Sequence, residues 1–402
     1  MSRTAAFFRL VGAARVLARH DALVPAEFRD QIPWSARFGA GLLRLTTFGR
    51  AKGGSAGERF TRALGELGPS YVKLGQFLAT RPDIVGKQLA TDLTALQDRM
   101  PAFPLAEAKA AVAAELGRPA DELFESFSEP VAAASIAQVH RARIRGEATE
   151  AAVKVLRPEI ETRFRRDLEA FYLAARLAER HVPSSRRLRP VAFVDTLAAS
   201  VREEMDLRLE ASAAAELAER TKDDAGFRVP RIQWELTAKR VLTSEWVEAM
   251  PLRDPAALKA AGHDPARLAT AVIQHFLTQA LRDGFFHADM HQGNLFVDAH
   301  GDLVAVDFGI MGRLDPVMRR FMADVLYGFL QRDYHAIAEA HFAVGIVAPD
   351  RSVDAFAQAL RAVGERVFGR PASEISMAKL LQQLFEITDM FGMEMQPQLV
   401  WL

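Results

Sequence analysis

The 402-residue chain is long enough for two or three lobes, and its 51 lysines and arginines are matched by 51 acids, which removes any global electrostatic case for nucleic-acid binding. It has no cysteine, excluding disulfides and thiolate metal sites, and no run of about 18 apolar residues that would span a bilayer. The charge is nonetheless uneven: up to Phe60 ten basic residues face four acidic ones, pointing to a local anionic surface such as lipid headgroups.

In chain order, residues 1–20 carry Arg3, Arg9, Arg15 and Arg19 among Phe7, Phe8, Leu10, Val11, Val16 and Leu17, with no acid before Asp21. The pattern predicts a basic amphipathic helix, suited either to an anionic membrane interface or to docking on its own domain. The arginines also interrupt any secretory apolar core. Gly53-Gly54-Ser55 reads as a flexible break. Between Leu64 and Gly86, Leu67, Tyr71, Leu74, Phe77 and Leu78 recur at helical spacing, so most of this segment is predicted to be core-facing helix. It carries Lys73, Gly75 and Gln76. Glycine inside a helix costs roughly 1 kcal/mol against alanine, so Gly75 calls for close backbone packing. Pro101 and Pro104 close the region.

A helix from Leu105 leads through Gly117-Arg118-Pro119 to a strand and then to VAAASIAQVH, residues Val131, Ala132, Ala133, Ala134, Ser135, Ile136, Ala137, Gln138, Val139 and His140. In the kinase phosphate loop Gly-x-Gly-x-x-Gly-x-Val, the glycine positions correspond here to Ala132, Ala134 and Ala137 and the valine to Val139. Alanine allows less backbone freedom, so a stiffer loop is expected. Such a stretch alone reads as a packed strand. Lys154 changes the weighting: it lies fifteen residues beyond Val139, on a predicted strand Ala151–Leu156 ended by Pro158. Alternation puts Val153 and Val155 on one face and Lys154 on the other, where a phosphate-pairing lysine belongs. The helical segment from Val194 to Arg220 places Glu203, Asp206 and Glu210 on one stripe, with Glu204 about a third of a turn away. Solvated carboxylates are the plain reading of that stripe. With Lys154 present, Glu210 becomes the candidate partner. Arg228–Pro230 and Val241–Trp246 read as strands, and Glu245 and Val247 fall where a hinge would hold adenine.

Pro265–Arg282 is predicted helical and leads into FFHADMHQGNLFVDAHGDLVAVDFGIMG, residues 285–312, which reads as loop, strand, tight turn, strand, loop. Asp289, Asn294 and then Asp307-Phe308-Gly309 beyond a hairpin form the arrangement used for phosphoryl transfer: one carboxylate at the acceptor, the Asn and second Asp on magnesium. From Asp315 onward the chain is amphipathic helix.

Taken together, the Lys73-x-Gly75-Gln76 helix, AAASIAQVH, Glu204-x-Asp206, HADMHQGN and DFG occur in the order found in the UbiB atypical kinases, and the chain resembles that family over nearly its whole length. The resemblance implies an α+β, bilobal protein-kinase-like fold with an amino-terminal helical extension over the cleft. It implies an extension at 1–104, a small lobe at 105–248 and a large lobe at 249–402. It implies ATP and Mg2+ as cofactors, Lys154 paired with Glu210, Asp289 as the catalytic Asp, and Asn294 with Asp307 on the metal. Lys73, Gly75, Gln76, Glu204 and Asp206 belong to the family's own additions at the mouth of the cleft. The function it implies is an ATP-dependent kinase or ATPase supporting ubiquinone biosynthesis. Its expected partners are an isoprenoid quinone precursor or the biosynthetic enzymes, and its expected place is the cytoplasmic side of the bacterial inner membrane.

Two departures are visible. Gln292 stands where the family usually has Pro, which predicts a less rigid loop between Asp289 and Asn294. Bacterial relatives continue into hydrophobic membrane segments, so a chain ending in Leu399-Val400-Trp401-Leu402 is expected to be a partial product. Rival functions are a metal-dependent hydrolase built on His287, Asp289 and His291, with His300 nearby, and a nucleotide-binding scaffold with negligible turnover. The first leaves Lys154, Glu210 and the alanine loop unexplained. Aminoglycoside-phosphotransferase-type kinases share the His-x-Asp-x-x-x-x-Asn loop but lack the Lys-x-Gly-Gln helix. Pairing Lys73 with Glu204 would satisfy two charges and pin the extension as a lid.

Overall fold

The computed structural model describes residues 3–23, 53–79, 81, 85–94, 100–369 and 376–393; the apolar run at 399–402 lies outside them. Contacts divide the chain into two units, Met1–Ala211 with Arg231–Trp246 and Ser212–Pro230 with Val247–Leu402.

The first unit opens with α1 (Arg3–Arg19). Next, α2 (Ala56–Leu67) starts at Ser55, whose Oγ accepts the Glu58 N–H while the Glu58 carboxylate accepts the Ser55 N–H. Gly53-Gly54-Ser55 is thus the entry to a capping box rather than a simple break. Gly68, at φ 100°, ends α2, and Pro69 opens α3 (Pro69–Ala79), so the periodic run containing Leu67 and Tyr71 is divided between two helices. Then come α4 (Lys87–Thr94), α5 (Leu105–Leu116), α6 (Ile160–His181) and α7 (Pro190–Glu204). Leu64, Tyr71, Val72, Leu89 and Leu93 share one buried cluster with Ile160, Phe164 and Phe171 of α6 and Leu197 and Val201 of α7. The amino-terminal helices are therefore part of this unit's core.

The sheet of the unit runs β1 (Phe124–Ala133), β2 (Ala137–Ile144), β3 (Glu150–Leu156) and β4 (Val241–Glu245), all antiparallel neighbours in that order. Ala151, Val153 and Val155 are fully buried in one cluster with Val112 of α5. Alternation leaves Lys154 on the opposite face, paired in register with Val139 and Leu242.

One helical expectation is corrected here. Glu203, Asp206 and Glu210 do not share a stripe, because α7 stops at Glu204 and α8 (Leu207–Arg220) begins after Met205-Asp206. The Leu207 N–H donates to the Lys239 carbonyl instead of to α7, and an Asp206 carboxylate oxygen accepts the Arg208 N–H at 3.2 Å. A short Asp side chain that bonds to the backbone ahead of it favours starting a helix over continuing one.

In the second unit, β5 (Ala249–Pro251) and Phe227–Arg228 flank the hairpin of β7 (Leu295–Asp298) and β8 (Leu303–Ala305), β5 against β7 and Phe227–Arg228 parallel to β8. At the hairpin turn Asp298 Oδ1 accepts the N–H groups of His300 and Asp302, at 2.9 and 3.0 Å. The segments flanking the hairpin are strands rather than loops: β6 (Phe285–His287) pairs with β9 (Met311–Arg313). Before β6 come α9 (Pro265–Leu277), capped by Asp264, and the π-helical turn Thr278–Asp283. After β9 come α10 (Pro316–Gln331), α11 (Tyr334–Ala343), α12 (Val353–Val367) and α13 (Met377–Phe391), packed around Tyr334, Ile337, Phe356 and Leu360.

His140 supplies a pH test of the first unit. It is fully buried; its Nδ1–H donates to the Ser128 carbonyl at 2.8 Å, and its Nε2 accepts from the Gln138 amide at 3.0 Å. Burial holds it below its usual 6.5. A folded-state value beneath the unfolded one gives stability that is complete above pH 6.5 and declines as the pH falls below it. His140→Gln is expected to melt lower than wild type near pH 8 and to lose less on acidification to about pH 5.5. Parallel melting-temperature profiles for the two proteins would reject the assignment.

Candidate functional site

In the first unit, Lys154 and Glu210 form the central contact. The β3 register points Lys154 away from the sheet's apolar face, and the first turn of α8 brings Glu210, 9% exposed, to meet it. Lys154 Nζ donates to both carboxylate oxygens, at 2.8 and 3.0 Å. Two charges withdrawn from water together are tolerated only with such close, doubly bonded geometry.

The alanine segment is a tight turn between β1 and β2. The Ala134 N–H donates to the Ala137 carbonyl at 2.8 Å. Arg157, at the end of β3, clamps the turn: its N–H donates to the Ile136 carbonyl at 2.8 Å, and its guanidinium donates to the Ala134 carbonyl at 3.2 and 2.8 Å. Nothing in the sequence pattern singled out Arg157; its position just before Pro158 is the only local hint. Val131 and Ala132 are exposed, Ala133, Ala134, Ile136 and Val139 are half-buried, and Ser135, Ala137 and Gln138 are buried. The Gln138 side chain is committed elsewhere: it accepts the Phe103 N–H at 3.0 Å and donates to the Phe103 carbonyl at 3.2 Å and to His140. Glu245 donates its own N–H to the Arg231 carbonyl at 2.8 Å, so that amide is not available for hinge-type recognition. Val247 belongs to the second unit.

On α3, Lys73 Nζ lies 2.7 Å from Glu204 Oε2 at the end of α7, with both side chains mostly buried, and the Ser200 hydroxyl donates to the other Glu204 oxygen at 3.3 Å. Gly75 is buried and Gln76 half-buried. Asp206 is bound by the Arg208 guanidinium at 2.8 and 2.6 Å, which holds its carboxyl below the usual range.

In the second unit the loop after β6 is knit by short-range bonds. The Asn294 amide donates to the Asp289 carbonyl and to Asp289 Oδ2, both at 3.1 Å, and the His291 N–H donates to the Asp289 carbonyl at 2.9 Å. The Val306 N–H donates to the Asn294 carbonyl at 2.9 Å, which closes the hairpin and sets Asp307 just beyond it. Even with Gln292 in place of Pro, the loop is tied at both ends. Asp307 has φ 61°, a left-handed conformation that Asp tolerates better than most residues.

His287 is fully buried beneath this loop. Its Nδ1 accepts the Asp289 N–H at 3.1 Å and its Nε2–H donates to the Val306 carbonyl at 3.2 Å, so one neutral tautomer links the Asp289 and Asp307 segments. Burial lowers its pKa, consistent with that form. Both ring nitrogens are therefore taken. A hydrolase site using His287, Asp289 and His291 is not built, and among the described residues no group of three or more His, Cys, Asp or Glu is placed to hold a metal. Asn294 and Asp307 instead offer an amide oxygen and a carboxylate, a donor set suited to a hard divalent cation.

These features are those of a kinase-like protein, and comparison with known proteins gives the family. Residues 95–341 match the ABC1 atypical kinase-like domain and residues 360–402 the UbiB helical domain. The chain is 42% identical over 353 residues to a Marinobacter nauticus protein named "Probable protein kinase UbiB", covering 87% of this chain and 64% of that one. An Aeromonas hydrophila protein of the same name is 39% identical over 390 residues, with 95% and 70% covered. A solved Mycobacterium tuberculosis protein in complex with erythromycin aligns with TM-score 0.49 at 24% identity, covering 88% of this chain and 94% of that one. The chain belongs to the UbiB family of ABC1 atypical kinase-like proteins.

The Lys73–Glu204 contact is open to a direct energetic test. Removing one partner of a buried pair costs about 3–5 kcal/mol, and residual exposure of both side chains puts Lys73→Ala at the lower end. A double-mutant cycle of Lys73→Ala and Glu204→Ala, read by urea unfolding, should return a coupling of about 1 kcal/mol or more. A coupling near zero would make Lys73 an ordinary surface lysine.

Proposed function

We propose that the chain is an ATP- and magnesium-dependent phosphotransferase or ATPase of the UbiB type, acting in support of ubiquinone biosynthesis at an anionic membrane surface. The observation that carries the reading is the doubly bonded Lys154–Glu210 pair, which holds the lysine side chain in a fixed place. In this role Lys154 meets the nucleotide phosphates under the Arg157-clamped alanine turn. Asn294, through its Oδ1, and Asp307 would hold magnesium, which when bound neutralises charge on the transferring phosphoryl group. Asp289, partly exposed and with Oδ2 fixed by Asn294, orients the acceptor hydroxyl or water. Lys73 and Glu204 restrain α3 as a lid. The acceptor is a small head group, a protein or water.

Magnesium-ATP should raise the melting temperature, since a ligand at about 100 times its Kd adds about 2.7 kcal/mol of stability. Asp307→Asn should abolish most of the magnesium-dependent part. An unchanged shift in that variant would remove Asp307 from the metal site. ADP release, measured with and without isoprenoid quinone precursors and anionic liposomes, separates turnover from a scaffold that binds nucleotide but does not consume it.

The membrane part of the reading rests on α1. Its small residues Ala6, Ala13 and Ala18 are buried against the unit, while Phe7 and Phe8 are 53% and 72% exposed. The helix thus docks on its own domain, with Arg9 and Arg19 in ion pairs with Asp167 and Glu66, and still presents Phe7, Phe8 and Arg15. Among the described residues no helix is long and apolar enough to cross a membrane. Binding to anionic vesicles is expected to exceed binding to neutral ones, each basic residue near the surface adding about 1 kcal/mol, and to weaken with salt and in Phe7→Ser/Phe8→Ser. Equal binding to both vesicle types would discard the electrostatic contribution.

A further inference from the structure

A cavity of about 610 Å3 opens in the first unit where α1, the junction of α2 with α3, and the start of α6 meet. Its size suits a small organic ligand. Ala13, Val16 and Leu67 give it an apolar side. The other side is charged: Arg9, Arg163 and Arg166 stand with Glu159 and Asp167. Arg9 and Asp167 cancel in an ion pair of 2.6 Å. Arg163 donates to the Leu67 carbonyl at 3.0 Å, and Arg166 makes no hydrogen bond or ion pair among the described residues. The remaining balance is positive, two guanidiniums against Glu159. The same wall is the first two turns of the 22-residue α6, whose start has no side-chain cap. Its positive dipole end therefore adds to the arginines.

An independent observation points to a ligand. Tyr71 is 8% exposed and packs edge-on against Phe171 with centroids 4.9 Å apart. Its hydroxyl has no hydrogen-bond partner among the described residues and keeps some contact with solvent, so it stays open to the space beside it. Tyr71 lines the cavity together with Asp167, Arg9 and Arg163, and these are the charges that act on its phenol. Burial first, and then Asp167, raise its pKa to about 12, which keeps it a proton donor at neutral pH.

We propose that this cavity binds a phosphorylated molecule, its phosphoryl oxygens accepting from the Tyr71 hydroxyl and the guanidiniums of Arg163 and Arg166, its organic part lying on Ala13 and Val16. Guanidinium forks match phosphate geometry, and a helix amino-terminus favours the same charge. The head group belongs either to a soluble phosphate ester or to a phospholipid. The site does not include Lys154, and the proposal stands apart from the kinase reading. It has a structural consequence for it, since α3 presents Tyr71 to the cavity and Lys73 to Glu204.

The test is thermal shift and calorimetry on the full chain with phenyl phosphate, without divalent metal, and co-flotation with vesicles containing phosphatidic acid. Phenyl phosphate is expected to stabilise the wild type and Lys154→Arg, which keeps a cation beside Glu210, alike. Arg166→Gln, which removes no bond among the described residues, should weaken binding about tenfold, the equivalent of about 1.4 kcal/mol. Arg163→Gln should do the same, but it also loses the Leu67 contact, so Arg166→Gln carries the decision if Arg163→Gln folds poorly. Tyr71→Phe should leave the unliganded melting temperature unchanged or higher while reducing affinity. A hydroxyl with a purely structural role would instead lower the unliganded value. Arg166-dependent vesicle binding without a phenyl phosphate shift assigns the head group to a lipid and upholds the site. A shift that survives Arg166→Gln and Tyr71→Phe, or disappears in Lys154→Arg, overturns the proposal, as does the absence of binding to both probes.

Discussion

A half-buried lysine and a buried carboxylate, Lys154 and Glu210, set the terms for the first unit. Neither is tolerable alone away from water, so β3 and α8 must be held where the charges meet. Much of the surrounding structure serves this. The sheet register fixes the face on which Lys154 emerges. The helix break at Met205-Asp206, secured by the Leu207–Lys239 bond, lets the first turn of α8 bring Glu210 to Lys154. Arg157 then uses the end of the same strand to immobilise the alanine turn.

The second unit solves a different problem, the precise placement of three polar side chains on irregular backbone. It does so with a neutral buried imidazole. His287 accepts from the Asp289 amide and donates to the Val306 carbonyl, so the loop and the segment leading to Asp307 are linked through one ring. Asn294 completes the arrangement by donating twice to Asp289. A histidine that first reads as a metal ligand is here a structural pin, because both nitrogens are occupied by backbone groups.

The amino-terminal helices matter through α3. One face of that short helix enters the common core through Tyr71 and Val72, and another carries Lys73 to α7. A helix held by a charge pair on one side and bordering a basic cavity on the other can register changes at either place. The packing of α1, through alanines rather than its phenylalanines, leaves its aromatic face for a different surface.

What the sequence by itself determined were features governed by local chemistry. Period-two alternation put Lys154 opposite Val153 and Val155, turn residues at Asp298–Asp302 marked the hairpin, and helical spacing gave α1; each depends on neighbours only a few residues away. The order of motifs was enough to indicate the family. The tertiary structure alone decided the rest. Helix breaks at Gly68-Pro69 and Met205-Asp206 ended runs whose apolar or acidic periodicity looked continuous. The β6–β9 pairing joined segments that read as loops, Gln138 was drawn into the Phe103 backbone, and the Arg157 clamp appeared with no more sequence signal than its place before Pro158. In each of these last cases the deciding hydrogen bond reaches a partner distant in the chain, and no local pattern can record a partner that only folding supplies.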